Sequence, residues 1–289
     1  MSIAAAPAIL AEQVLAGLKG KLGVLSAFST NLTPTAVGRT MQVSLIGGGS
    51  AKEFSKANGG YHEAEDAVLT AQTVTLVHLH STKDFAPDDL AEYGEAYMVQ
   101  AFVPQAVNEL VAECHKRIGN LFTVANYSAG EVITASNFNY SQVVDLNTDL
   151  SLAKAGDTRA LLLNSTYAGA LRKDATLVAP FNGAGQSALI QTGAIGTVSN
   201  FNVFEFTDLP TNSEGLAGVA LAQDAVCIGV ALPNASMFPG EVSTAIDASG
   251  LSVQVLKSQG TDGIVRLSAA IRFGCGKGRA SSAKRIASA

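Results

Sequence analysis

The chain has 289 residues, of which 47% are hydrophobic, 15% charged and 6% aromatic, with 28 glycines and no tryptophan. Such a composition excludes disorder along the whole chain and supplies a sizeable core of small and aliphatic side chains. The net charge of −5 makes the body a poor electrostatic match for nucleic acid. Residues 272–289 hold Arg272, Lys277, Arg279, Lys284 and Arg285 and no acid, a formal +5 that leaves −10 on the rest. This tail reads as a solvated, disordered terminus or, in the sharper reading, as a weak contact to a polyanion.

Cys114, Cys227 and Cys275 are far apart and fit no CxxC or zinc spacing. They read as buried free thiols in a reducing cytosol. Residues 1–18 lack a basic n-region and Glu12 interrupts their apolar run, so they do not read as a signal peptide. No window of 18 uncharged apolar residues occurs, and no membrane span is expected.

Residues 1–38 read as an arm. Ile9, Leu10, Val14, Leu15 and Leu18 follow helical spacing after Pro7, with Gly20 near the helix end. The arm buries little alone and is expected to lie on another surface. Residues 39–80 read as a long two-stranded excursion. Arg39 to Leu45 alternates, as does QTVTLVHLH (72–80). Between them lies a polar stretch with Gly47, Gly48, Gly49, Gly59 and Gly60, far longer than a hairpin turn of about 2–5 residues. It is either a lid or a segment ordered against a partner.

Residues 81–120 carry the strongest helical signal. Ser81 and Asp84 fit a capping box, and Tyr97, Ala101, Pro104, Val107, Leu110, Val111, Cys114 and Ile118 recur at spacings of 3 or 4. Pro104 should kink the helix or mark a fresh start. His115, Lys116 and Arg117 suit its last turn, and Gly119 its C-cap. Further on, 140–152 reads as a helix, RALLLN (159–164) as a buried strand and 165–173 as a helix capped by Ser165. TLVAP (176–180), GTVSNFNVFEF (196–206) and AVCIGVALP (225–233) are β-like. LSVQVLKS and GIVRLSAAIRF form a closing pair joined at Asp262-Gly263.

The motifs for small-molecule chemistry are thin. Gly183, Gly185 and Ala188 match GxGxxA after TLVAP, with Glu205 about 20 residues on, the pattern of an NAD-dependent oxidoreductase. The helix that would follow is too short and no βαβ repeat surrounds it, so a glycine-rich turn is the plainer reading. Gly274-Cys-Gly-Lys277-Gly lacks Walker spacing. His78 and His80 share one face of a strand and would serve a metal only with a third ligand, which the nearby sequence does not supply. Asp84, Asp88 and Asp89 read as capping and helix-dipole residues. No GxSxG elbow occurs. Catalytic, cofactor-binding and metal residues are therefore all expected to be none.

An arm, an extended loop, a long helix, a mixed module and a closing β pair follow one another. This order resembles the tailed-bacteriophage major capsid proteins of the HK97 fold over roughly residues 36–273. DTRALLLNSTYAGALRKD (157–174), QTGAIGTVSNFNVFEFTDLPTN (191–212), GLAGVALAQDAVCIGVALP (215–233) and LSVQVLKSQGTDGIVRLSAAIRFGCG (251–276) are similar to family segments in the expected order. The resemblance implies an α+β fold divided into an N-terminal arm (1–38), an extended E-loop (39–80), a P-domain with the spine helix (81–135), a compact A-domain (136–249), closing P-domain strands (250–276) and the basic tail (277–289). It implies no enzyme and no cofactor. Instead it implies a virion subunit assembled in the bacterial cytoplasm, forming pentamers and hexamers around double-stranded DNA. Contact with that DNA would be weak and non-specific, and scaffolding, portal and decoration proteins are further expected partners. An encapsulin-like bacterial shell is the same-fold alternative. Some family members crosslink an E-loop lysine to a neighbour's asparagine. Lys52 and Lys56 lie in the matching region, but no facing asparagine or catalytic carboxylate is identifiable.

Overall fold

The computed structural model describes residues 7–22, 29–32, 39–47, 54, 56, 68–178, 196–234, 240–247 and 250–289. In chain order the elements are α1 (Pro7–Leu22), β1 (Ser29–Leu32), β2 (Thr40–Gly47), β3 (Val68–Thr75), β4 (Val77–Phe85), α2 (Pro87–Gly119), β5 (Gly130–Val132), α3 (Tyr140–Leu152), β6 (Arg159–Leu163), α4 (Ser165–Arg172), α5 (Ala175–Val178), β7 (Thr197–Val198), β8 (Phe201–Glu205), β9 (Leu216–Ala222), β10 (Val226–Ala231), β11 (Glu241–Ile246), β12 (Ser252–Gln259), β13 (Val265–Lys277) and β14 (Ala283–Ala287).

The long strand β13 organises the first sheet. One edge pairs antiparallel with β4 over Val265–Phe273. The other edge pairs first with β12, over residues 265–270, and then with β10, over 272–277. β11 extends the sheet beyond β12, and β1 lies parallel to β10 at the far side. Alternation decides the faces. Leu267, Ala269, Ile271 and Phe273 of β13 join Leu79, Val253 and Val255 beneath α1 and α2 in the main core.

α1 fulfils its helical spacing, with Leu10, Ala11, Val14 and Leu18 fully buried. Its surface is not another molecule, however. It packs on α2, β11 and β12 of its own chain, and Lys19 Nζ reaches Asp247 at 2.9 Å. The approach is close. A β-carbon at Gly17 would stand 2.8 Å from Val107 Cγ2. The arm is expected from its sequence to lie on another surface, and for this helix its own chain supplies that surface.

α2 is interrupted at Gly94, whose φ of 75° and ψ of 169° are non-helical, and it continues through Pro104. Proline removes one backbone donor. Here Pro104 and Gln100 face solvent, so water can satisfy the orphaned carbonyl. The buried stripe in this half therefore runs through Met98, Phe102 and Ala106, not Tyr97, Ala101 and Pro104. Ser81 and Asp84 are not a helix cap, because β4 extends to Phe85. Ser81 Oγ donates to Glu109 at 2.6 Å, and Asp84 takes both arms of Arg266 at 2.6 and 2.7 Å.

The second sheet runs β5-β14-β9-β6-β8-β7. All residues of β6 and β9 are buried because both faces are covered. Ala160, Leu162, Val219 and Leu221 face the main core, while Leu161, Leu163, Ala220 and Ala222 face α3 and α4. The Ala-rich stretch before β10 is thus itself a central strand. α3 starts at Asn139 and α4 at Asn164, whose side chains accept from Ser141 N and Tyr167 N at 3.0 Å each. The cap of α4 is therefore Asn164, not Ser165. TLVAP opens as the short helix α5 because the Asp174 carboxylate accepts from Thr176 N at 2.8 Å.

The sheets cross the sequence division at residues 249 and 277. β10 and β11 belong to the first sheet, and β14 belongs to the second. The basic tail is consequently an interior strand and not a solvated terminus. Ile286 is fully buried, and Arg285 and Lys284 are neutralised by Glu214 (2.6 Å) and Asp149 (2.9 Å). Lys277 lies 5.9 Å over the Tyr127 ring. Lys284 and Arg285, committed to internal partners, have little left for a polyanion.

Candidate functional site at the ribbon base

β2 and β3 pair antiparallel from Thr40↔Thr75 to Gly47↔Val68 and form a two-stranded sheet of their own. Eight rungs span about 25 Å. A lone ribbon of this kind is marginally stable in water and needs a further surface. Part of that surface is at its base. The Leu76 N–H donates to the Arg39 carbonyl at 2.8 Å and closes the ribbon where the chain enters β4.

The base rests on a glycine seat. Gly229 of β10 stands opposite Gly274 of β13, and Cys227 stands opposite Gly276. A β-carbon at Gly274 would lie 2.5 Å from the Thr75 carbonyl oxygen and 2.9 Å from Val74 Cγ1. One at Gly276 would meet Val74 Cγ2 at 2.8 Å, and one at Gly229 would meet Met41 Cε at 2.5 Å. Met41, Val74 and Cys227 form a small buried cluster, with Leu76 also buried. The missing side chains thus let a second layer of backbone lie directly on the sheet. The Gly274–Gly278 stretch is a packing device in a strand, with Gly278 itself 2.1 Å (as a β-carbon) from the Asp224 carbonyl.

A second group of residues fixes the modules to each other. Arg285 Nε donates to the Tyr127 carbonyl at 2.9 Å, and its Nη1 donates to Glu214 at 2.6 Å. Glu214 also accepts from Val124 N at 2.9 Å, and Tyr127 Oη donates to the Ala225 carbonyl at 2.6 Å. Burial pushes the Tyr127 phenol well up. Two sheets, the end of α2 and the C-terminal strand therefore meet at one hydrogen-bonded joint.

Gly183, Gly185, Ala188 and Lys52 lie outside the described residues; Lys56 is exposed. Glu205 is on β8 and pairs with Arg172 at 2.5 Å. Hydrogen bonds from Ser165 and Arg172 hold its carboxyl below the ordinary value. His78 and His80 share the outer face of β4 with ring centroids 6.1 Å apart, and His80 Nδ1 is 3.2 Å from Thr82 Oγ1. Burial, then the neighbouring His80 and Arg272, lower the His78 pKa. Among the described residues no group of three His, Cys, Asp or Glu is placed to hold a metal. Asp88 and Asp89 occupy the first turn of α2, as their charge favours. On either side of Gly94, Tyr93 and Tyr97 pair at 5.0 Å while each remains about half exposed. Among the described residues no helix is long and apolar enough to cross a membrane.

No protein-family model and no curated protein sequence matches the chain. Solved structures do. A chain of Mycobacterium phage Che8 superposes with TM-score 0.56 at 16% identity, covering 86% of this chain and 85% of that one. A chain from the capsid of the cyanophage P-SCSP1u gives 0.61 at 13% identity, covering 90% and 86%. A chain of a virus-like particle from Pyrococcus furiosus gives 0.56 at 11% identity, covering 95% and 98%. Two mainly antiparallel sheets, a spine-like α2 and a separate ribbon thus make an α+β chain with the fold of phage capsid proteins, HK97-like as the sequence resemblance implied.

Proposed function

We propose that this chain is a structural major capsid protein that self-assembles into an icosahedral phage head around double-stranded DNA. The observation that carries the reading is the β2–β3 ribbon, whose strands pair only with each other among the described residues and whose base is seated on the glycines of its own first sheet. In this reading residues 39–80 are the E-loop, and its far end lies on a sister subunit. α2 and the first sheet make the P-domain. The second sheet makes the A-domain, completed by β5 and β14. Each contact between copies is of standard size or smaller, and closed symmetry multiplies them. The acidic body repels packaged DNA and leaves only weak, non-specific contact with it. Scaffolding, portal and decoration proteins are the partners such a head requires. The chain acts as a wall and no catalytic role is assigned to it. The nicotinamide alternative would need a doubly wound parallel sheet, whereas the described sheets are mostly antiparallel.

The test is negative-stain electron microscopy and sedimentation of the purified chain, alone and with a scaffold. Closed, hollow particles support the reading, and a strictly monomeric protein at high concentration opposes it. The same-fold second reading, an encapsulin-like bacterial shell, is not favoured, because the similar structures are mostly phage capsids. Co-purified cargo enzyme without tail proteins or DNA would favour that second reading.

A further inference from the structure

His115 sits in the last turns of α2, beneath the connection from β8 to β9. Its ring stacks on Phe206 with centroids 4.2 Å apart and planes inclined by 33°. Its Nε2 is buried and has no hydrogen-bond partner among the described residues. The covering connection is tied down on both sides of this ring. Phe206 N donates to the Leu163 carbonyl at 2.7 Å, which anchors it to the second sheet. Asn212 Nδ2 donates to the carbonyls of Gly119 and Phe122 at 2.8 and 3.2 Å, which anchors it to the end of α2. Between these ties Pro210 presses on the helix so closely that a β-carbon at Gly119 would stand 2.3 Å from its Cδ.

A neutral imidazole suits this site, and an imidazolium does not. Protonation makes both ring nitrogens donors, and the buried Nε2 has no acceptor among the described residues, so the charged form is costly there. The Phe206 face attracts a cation, but more weakly than water does. The charged groups that face the ring are Asp208 from the connection, which favours the proton, and Lys21 from α1, which opposes it. On α2 itself Glu113 and Arg117 are engaged with each other at 3.0 Å, and Lys116 adjoins. Burial outweighs Asp208 and holds the ring below its ordinary value of 6.5.

We propose that residues 206–212 form an acid-sensitive latch between α2 and the second sheet, which opens as His115 takes a proton. When the connection lifts, the ring meets water and regains its ordinary basicity. The open form then binds a proton that the closed form refuses. The closed latch is therefore fully favoured above about pH 6.5 and loses ground as pH falls below it. Because this joint sets the second sheet against the spine of the first, protons bias how the two modules sit. The latch does not depend on the chain being a shell subunit.

Hydrogen–deuterium exchange of the purified full chain at pH 7.0 and 5.5, corrected for the intrinsic pH dependence of exchange, tests it. The opening equilibrium of 206–212 should rise about five- to eightfold, the ceiling for one proton over that interval. Peptides from β9 should not follow. His115→Phe, which keeps the stack and cannot titrate, should abolish the rise; His115→Gln serves if that variant does not fold. Unchanged protection at 206–212, an equal response throughout the chain, or a response that survives the substitution would each overturn the latch.

Discussion

Gly229 faces Gly274 across the β10–β13 ladder, and the space their side chains would occupy is filled by Met41, Val74 and Leu76 from the ribbon base. The pair links the sequence to the placing of the ribbon. Without those glycines the ribbon has no seat, and without a seat it cannot be aimed.

Gly274→Val should therefore unseat the ribbon. Its β-carbon meets the Thr75 carbonyl, a backbone atom that cannot rotate away. The expected loss is about 1–3 kcal/mol in urea unfolding, together with loss of assembled particles. Gly276→Ala meets only the end of Val74 and should cost less. Gly20→Ala, on an exposed helix position with nothing within 4 Å, should instead stabilise by about 0.5–1 kcal/mol.

Glu214→Ala should destabilise by about 2 kcal/mol or more. It strips the buried Arg285 of its counter-ion and leaves Val124 N without its acceptor. Asp149→Ala at the neighbouring, more exposed Lys284 pair should cost under about 1 kcal/mol. Urea midpoints of the two variants, compared with the parent chain, check the ordering.

The thiols should be silent in the folded protein. Burial pushes Cys114 far up, Cys227 up, and Cys275 up to about 12, and the thiolate is the reactive form. A chromogenic disulfide reagent at pH 8 should react with none of them in minutes, and with all three after unfolding. Rapid labelling of native Cys114 or Cys275 would contradict the packing of α2 on β13, and rapid labelling of Cys227 would contradict the seating of the ribbon.

Acid should weaken the fold in two stages. A hydrogen bond from Ser81 leads the causes that hold Glu109 below 4.5, helped by Lys83 and Gln105. Ser165 and Arg172 do the same for Glu205. Groups with depressed folded pKa values contribute stability that is present above the unfolded value and lost as pH falls through the folded one. The carboxylate loss should thus begin below about pH 4.5, under the His115 window. Denaturant midpoints from pH 7 to 3 should show Glu109→Gln flattening the lower stage only.

Elements with local signals were legible in the sequence. The period-2 run of β2, the buried RALLL strand and the Asp262-Gly263 hairpin need only neighbours a few residues away, whereas the run at 72–80, read as one strand, is divided at Leu76 between β3 of the ribbon and β4 of the first sheet. Elements decided by remote partners were not. β4 continues through Ser81 and Lys83 because β13 pairs with it along its whole length, which a capping pattern cannot reveal. β14 looks like a solvated basic tail until Glu214 and Asp149 are brought to it. The seat pairs glycines from different strands, and only the G-x-G-x-G alternation at 274–278 hints that one strand face must stay bare. The surface on which α1 lies could not be named from its own residues, because β11 and β12, far along the chain, supply it.

The outer part of the ribbon decides between a shell subunit and a self-contained chain. A side-chain-resolution reconstruction of the assembled protein by electron cryomicroscopy measures its place directly. A closed shell is expected, in which each ribbon is held at its base by Gly229, Gly274 and Gly276 of its own chain and covered beyond that by an adjoining copy. Single copies with the ribbon folded wholly onto their own sheets would contradict it.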